Sequence, residues 1–121
     1  MSFQRFEDIV AWQKARVLSF DIYGLVSKPK FSRDFSLKDQ IVRAGNSIVL
    51  NIAEGFARRT NKEFSSFLFN SHGSAAEVQA ALYIAKDQLY ITEEEFQKVY
   101  DQADEVSKII SGLIKFLRKD L

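Results

Sequence analysis

Apolar residues recur every three or four positions along almost the whole chain, in runs separated by three breaks. The breaks are Ser27 to Ser32 around the sole proline, Pro29, then Gly55 to Thr60, and Tyr90 to Thr92. No run alternates with a period of two, so the pattern predicts long helices and no strand. The first helix is expected from about Phe6 to Val26, with Trp12, Ala15, Leu18, Ile22 and Leu25 on one face. The second begins near Ser36, whose hydroxyl is placed to cap the first turn with Asp39 three residues on. It carries Leu37, Ile41, Ala44, Ile48 and Ile52 inward and stops around Gly55. Thr60-Asn61-Lys62-Glu63 has capping-box spacing and opens a third helix, whose inward row is Phe64, Phe67, Leu68, Ser71, Ala75, Val78, Leu82, Ala85 and Leu89. Thr92-Glu93-Glu94-Glu95 repeats the signal, followed by Phe96, Val99, Ala103, Val106, Ile110, Leu113 and Leu117. Short connections between long helices make neighbours antiparallel. The expected fold is therefore all-α, an up-down-up-down antiparallel four-helix bundle in one domain over residues 1–121.

Composition narrows the chemistry. A chain of 121 residues with 46% hydrophobic and 27% charged side chains suits one packed core. The absence of Cys removes disulfides, thiolate metal sites and thiol nucleophiles, and a single His leaves imidazole-rich metal sites without ligands. A net charge of +1 projects no global field toward a polyanion, so any nucleic-acid surface has to be local. The stretch Met1 to Asp8 lacks the basic and apolar regions of a secretory signal, and no segment reaches about eighteen uninterrupted apolar residues. A cytoplasmic protein with no membrane partner is the expectation.

Two polar groups do not fit a plain bundle. On the second helix, Gln40, Arg43, Ser47, Asn51, Glu54 and Arg58 fall within roughly 80° of one another. On the third, Asn70, Gly73, Ser74 and Glu77 form a second group, whose small residues would let another backbone approach. We read Gln40, Arg43, Ser47, Asn51, Glu54, Ser74 and Glu77 as a structural polar network at a helix contact or subunit boundary, because buried polar groups are normally paired. A ligand or RNA-reading pocket is the alternative. Glu54 and Glu77 raise the question of a di-iron carboxylate site, but no Glu-x-x-His occurs, and His72 lies roughly 140° from Glu77 around its helix. With no base beside a serine and no glycine-rich phosphate cradle, no catalytic residue, metal or cofactor is assigned.

Apolar residues also exceed what one core needs. The third helix carries Phe69, His72, Ala76, Ala80 and Tyr83 on a second side, the first adds Phe6, Val10, Val17 and Phe20, and the second adds Val42, Val49 and Phe56. Such surplus rows point to burial against a partner, so Phe69, His72, Ala76 and Tyr83 are the candidate interface of a homo-oligomer. Basic residues cluster at Lys28, Lys30 and Arg33, at Arg58, Arg59 and Lys62, and at Lys115, Arg118 and Lys119. In an up-down bundle the last two clusters share one end, giving a candidate nucleic-acid-binding pole; an ordinary solvated helix end is the alternative.

The run from Leu37 to Gly55, LKDQIVRAGNSIVLNIAEG, resembles the signature of the 23S rRNA intervening-sequence proteins. Arg59-Thr60-Asn61-Lys62-Glu63-Phe64, Phe67-Leu68 and Gly73-Ser74-Ala75-Ala76-Glu77 resemble the second motif of that family, and Trp12-Gln13-Lys14-Ala15 with Ile22-Tyr23 its first helix. The resemblance implies an antiparallel four-helix bundle, often a ring-like homopentamer, with no established enzymatic activity. A dimer is the fallback. A related branch, the accessory variability determinants of diversity-generating retroelements, is similar in fold and binds a reverse transcriptase and nucleic acid through basic surfaces. Carried onto this chain, Arg43, Asn51, Glu54, Ser74 and Glu77 become architectural motif residues. The family often has Phe-Pro and then Glu ahead of the second helix, whereas Pro29-Lys30-Phe31-Ser32-Arg33 here predicts a differently arranged loop. The function expected is a non-enzymatic oligomeric scaffold or binding module, with RNA or a ribonucleoprotein as candidate partner. The alternative is a protein-interaction partner, for example of a polymerase, without nucleic-acid contact.

Overall fold

The computed structural model describes residues 3–119; the ends of the domain expected over 1–121 lie outside the described residues. It is all-helical, with no strand among those residues. A single 3-10 turn, Phe6–Asp8, precedes α1 (Val10–Val26), α2 (Pro29–Arg33), α3 (Phe35–Ala57), α4 (Asn61–Asp87) and α5 (Glu93–Arg118). The four long helices, α1, α3, α4 and α5, enclose one apolar core, in which Leu18, Ile22, Ile41, Ile48, Ile52, Leu68, Leu82 and Ile110 are fully buried. α3 packs on α4, α4 on α5, and α1 on both α3 and α5.

The inward rows are buried as the periodicity requires, with three exceptions. Trp12 and Phe67 are half-buried, and Leu89 is 78% exposed because α4 ends at Asp87. Leu89 sits at φ 60° just past that end. The Leu89 N–H donates to Lys86 O at 3.0 Å and the Tyr90 N–H to Ala85 O at 2.9 Å, which together satisfy carbonyls of the last turn.

Two helix starts also differ from expectation. The first helix begins at Val10 rather than Phe6, because Asp8 Oδ2 accepts from the backbone N–H groups of Gln4 and Arg5 at 3.2 Å, closing a tight turn, and Ile9 is extended. The second long helix is capped by Asp34 rather than Ser36: Asp34 Oδ1 accepts from the Leu37 N–H at 3.1 Å. The other carboxylate oxygen of Asp34 accepts from the Tyr90 hydroxyl at 2.9 Å, which raises the Tyr90 pKa above that of an ordinary phenol. Ahead of this cap, Pro29 opens the short α2 at a position where its missing N–H costs nothing. That turn buries Phe31 completely against Tyr90. Thr60 and Thr92 cap α4 and α5 as expected, and Glu95 Oε1 returns a bond to the Thr92 N–H at 2.8 Å.

Candidate functional site

The turn from α3 to α4 is built by the backbone of two arginines. The Arg58 and Arg59 N–H groups donate to Gly55 O and Phe56 O, each at 3.3 Å, and Arg59 takes φ 71° before Thr60 starts α4. A residue with a Cβ gives up about 1–2 kcal/mol in this left-handed conformation. The same turn is held tight from below, because a Cβ on Gly55 would stand 2.6 Å from Phe67 Cβ and 3.1 Å from Phe64 Cδ1.

The last turn of α5 lies beside this connection. Lys62 of α4 and Arg118 of α5 line one groove of about 560 Å³ together with Ser65, Ser66 and Phe69. Arg59, Asn61 and Leu117 line a smaller cleft of about 120 Å³. The Arg118 guanidinium carbon lies 5.5 Å from the Phe69 ring centre, and Lys119 Nζ lies 5.3 Å from that of Phe116. Lys115 is exposed one turn before the end of the helix. Arg59, Lys62, Lys115, Arg118 and Lys119 form no ion pair with a described residue.

Arg58 behaves differently. Its Nη2 is 2.8 Å from Glu54 Oε2 and its Nη1 is 3.8 Å from Glu63 Oε2, while its guanidinium lies over Phe67. The hydrogen bond to Glu54 raises the Arg58 pKa still further. The charge is thus met locally, a pairing that the four-residue spacing of Glu54 and Arg58 already offered to sequence reasoning.

The expected polar network separates into pieces. Ser74 Oγ donates to Ser47 Oγ at 2.8 Å, and Asn51 Nδ2 donates to Ser47 O at 2.9 Å and Ser47 Oγ at 3.0 Å. Those three residues form the interhelical part. Glu54 turns to Arg58, Arg43 pairs with Asp39 at 3.1 Å on the surface, and Gln40 and Glu77 are exposed. A Cβ added to Gly73 would meet nothing within 4 Å, so the close backbone approach expected there is not made among the described residues. Sequence reasoning missed two polar links beside this network. Ser71 Oγ, completely buried, donates to Ile48 O at 2.9 Å, and Asn46 bridges Ser19 and Tyr23 at 2.9 and 3.0 Å.

The second apolar row of α4 lies along its seam with α5. The Tyr83 ring is 4.9 Å from that of Phe96 and 5.8 Å from that of Tyr100, and Phe69 lies beneath Arg118. His72 is half-buried and Ala76 exposed. Phe69 and Tyr83 nevertheless stay about half exposed, and other large apolar side chains also reach solvent, Val17 and Phe20 of α1 and Leu50 of α3 being the most exposed away from helix ends. Among the described residues no group of His, Asp and Glu is placed to hold a metal ion, and no helix is long and apolar enough to cross a membrane.

Comparison with known proteins gives a family and a fold. The family model described as 23S rRNA-intervening sequence protein matches residues 7–112. Among solved structures, the chain is similar to a protein of unknown function from the S23 ribosomal protein family of Bacteroides thetaiotaomicron, with 25% identity and a TM-score of 0.81. The match covers 88% of this chain and 99% of that one. No curated protein matches the sequence.

Proposed function

Because the chain belongs to the family of 23S rRNA-intervening sequence proteins, we propose that it is a non-enzymatic, self-associating helical module that binds RNA through its basic pole. The observation that carries this reading is the meeting of Lys62 and Arg118 in one groove at the end where Arg59 also emerges, none of the three paired with a carboxylate of a described residue. Unpaired cations release counterions from a phosphate backbone, whereas a cation already matched to a carboxylate gains little. Arg59 adds to the argument: a glycine would suit its backbone better, and an arginine is held there instead.

The up-down-up-down bundle belongs to the same proposal. It is supported by pairs that run in opposite senses along neighbouring helices: Ser47 with Ser74 and Phe56 with Phe64 for α3 and α4, Tyr83 with Phe96 and Phe69 with Arg118 for α4 and α5. Lys14 with Glu105 and Asp21 with Lys98 relate α1 and α5 in the same way. This arrangement, in one domain, sets the α3–α4 turn and the end of α5 at one pole. Self-association is supported by the exposed Val17 and Phe20 of α1, and a closed ring would repeat the pole so that several weak patches act together. Five copies follow from the family resemblance alone.

RNA binding measured against salt tests the proposal. Affinity should fall steeply as salt rises, and Lys62→Ala with Arg118→Ala should lower both the affinity and the slope of that dependence, by about one counterion per cation removed. Absence of binding at low salt sinks the RNA reading and leaves a protein-interaction module without nucleic-acid contact.

A further inference from the structure

Resting on the RNA-binding reading of the pole, we propose that this groove selects unpaired over duplex RNA, by stacking a base on Phe69 while Lys62 and Arg118 hold the adjoining phosphate. Duplex binding through phosphates needs cations alone. This pole instead interleaves its cations with aromatic rings: Arg58 with Phe67, Arg118 with Phe69, and Lys119 with Phe116. Of these rings Phe69 is the most open, 49% exposed, and it lines the same groove as Lys62 and Arg118. Arg118 lies over this half-exposed ring, so an open aromatic surface and a cation occur together, the two features an unpaired nucleotide uses for its base and its phosphate. In a duplex the base faces are stacked on each other and unavailable to Phe69.

The groove wall also contains Ser65. It lies in the second turn of α4 and lines the groove, and it is 3% exposed; its hydroxyl oxygen has no hydrogen-bond partner among the described residues. A buried hydroxyl without a partner is uncommon and carries a free-energy cost, and because the oxygen itself is covered it would meet a groove ligand only after its side chain turned. The groove of about 560 Å³ has room for one nucleotide.

Fluorescence anisotropy with an oligoadenylate of about a dozen nucleotides and with a blunt RNA duplex of matched length tests this, using the full chain. The strand should bind more tightly than the duplex. Phe69→Leu should weaken strand binding about five- to tenfold, leave duplex binding and the salt slope unchanged, and be rescued by Phe69→Tyr, which restores a ring. Lys62→Gln and Arg118→Gln should weaken both ligands and flatten the salt dependence. Helicity and mass of each variant, read by circular dichroism and light scattering, should match the parent, since half of the Phe69 surface is open. Equal affinity for strand and duplex with an indifferent Phe69→Leu overturns the stacking inference and leaves the electrostatic pole intact. Failure of both ligands to bind at low salt overturns the two together.

Discussion

Arg58 Nη2 lies 2.8 Å from Glu54 Oε2, so the glutamate of the Asn-Ile-Ala-Glu-Gly run and the first arginine of the basic pole neutralise each other. Arg59, the next residue, has no such partner among the described residues and stands at φ 71°. On the proposed RNA-binding reading, these two neighbours of the same type have different duties. Arg58→Ala should change RNA affinity little, while Arg59→Gly should weaken it and at the same time raise stability by up to about 1 kcal/mol, as strain in the left-handed conformation is relieved. Leu89→Gly provides the control, since it relieves the same strain at the far end of α4 and should stabilise without touching binding. Thermal melts and salt-dependent titrations of the three variants decide the matter; equal binding loss from Arg58→Ala and Arg59→Gly would reject the division of roles.

Gly55 and Gly73 make opposite predictions. Gly55→Ala forces its new methyl against Phe67 Cβ and the Phe64 ring, where the first contact is a side chain root that cannot swing away, so a loss of about 1–3 kcal/mol is expected. Gly73 lies inside a helix with open space around it, so Gly73→Ala should gain about 0.5–1 kcal/mol, raising the melting temperature by about 2–6 °C. Loss of assembly by Gly73→Ala would instead mean that another copy covers this side of α4.

The hydroxyls between α3 and α4 are expected to support structure. Ser71→Ala removes the donor to Ile48 O and Asn51→Ala removes both bonds to Ser47, and each should cost about 1 kcal/mol in urea unfolding. RNA affinity in the folded variants should match the parent. A binding defect in Asn51→Ala without any loss of stability would return the polar row to the candidate sites.

Self-association can be tested where the bundle itself is not at stake. Phe20 is 78% exposed, so Phe20→Glu should leave the helices and the melting of the monomer unchanged while dissociating the assembly, because burying an unpaired charge is far costlier than the contact it replaces. Light scattering coupled to size exclusion reads the mass. A monomeric parent at micromolar concentration removes self-association from the proposal.

Acid should release one long-range tie. The Lys28 ammonium hydrogen-bonds Glu95, and this bond, with the Thr92 backbone N–H, holds the Glu95 carboxyl below the usual carboxylate range. A depressed carboxyl stabilises the fold fully above the ordinary carboxylate pKa, and that contribution disappears as pH falls through the lower, folded value. The pair is one-third exposed on both sides, so solvent screening limits it to about 1 kcal/mol or less. Urea midpoints of the parent and Glu95→Gln should differ near neutrality and converge in acid; a constant difference would show that the pair does not titrate with folding.

The sequence by itself determined the helices and their inner faces. Leu18, Ile22, Ile48, Leu82 and Ile110 are buried because a period near three and a half leaves a bundle no other way to remove them from water. Thr60 and Thr92 were legible as caps because a cap is read out by backbone groups three residues away. Asp34 was not, since its second bond goes to Tyr90 on a distant segment and fixes the start of α3 from outside it. The same limit applies at the candidate site. That Arg58 and Glu54 are neighbours follows from helical spacing, but that Phe69 lies under Arg118 depends on how α4 and α5 are set against each other. Local spacing fixes which side chains share a helix face; which helix that face meets, and so whether a ring is covered by a second copy, by its own chain or by a ligand, is decided only when the helices pack.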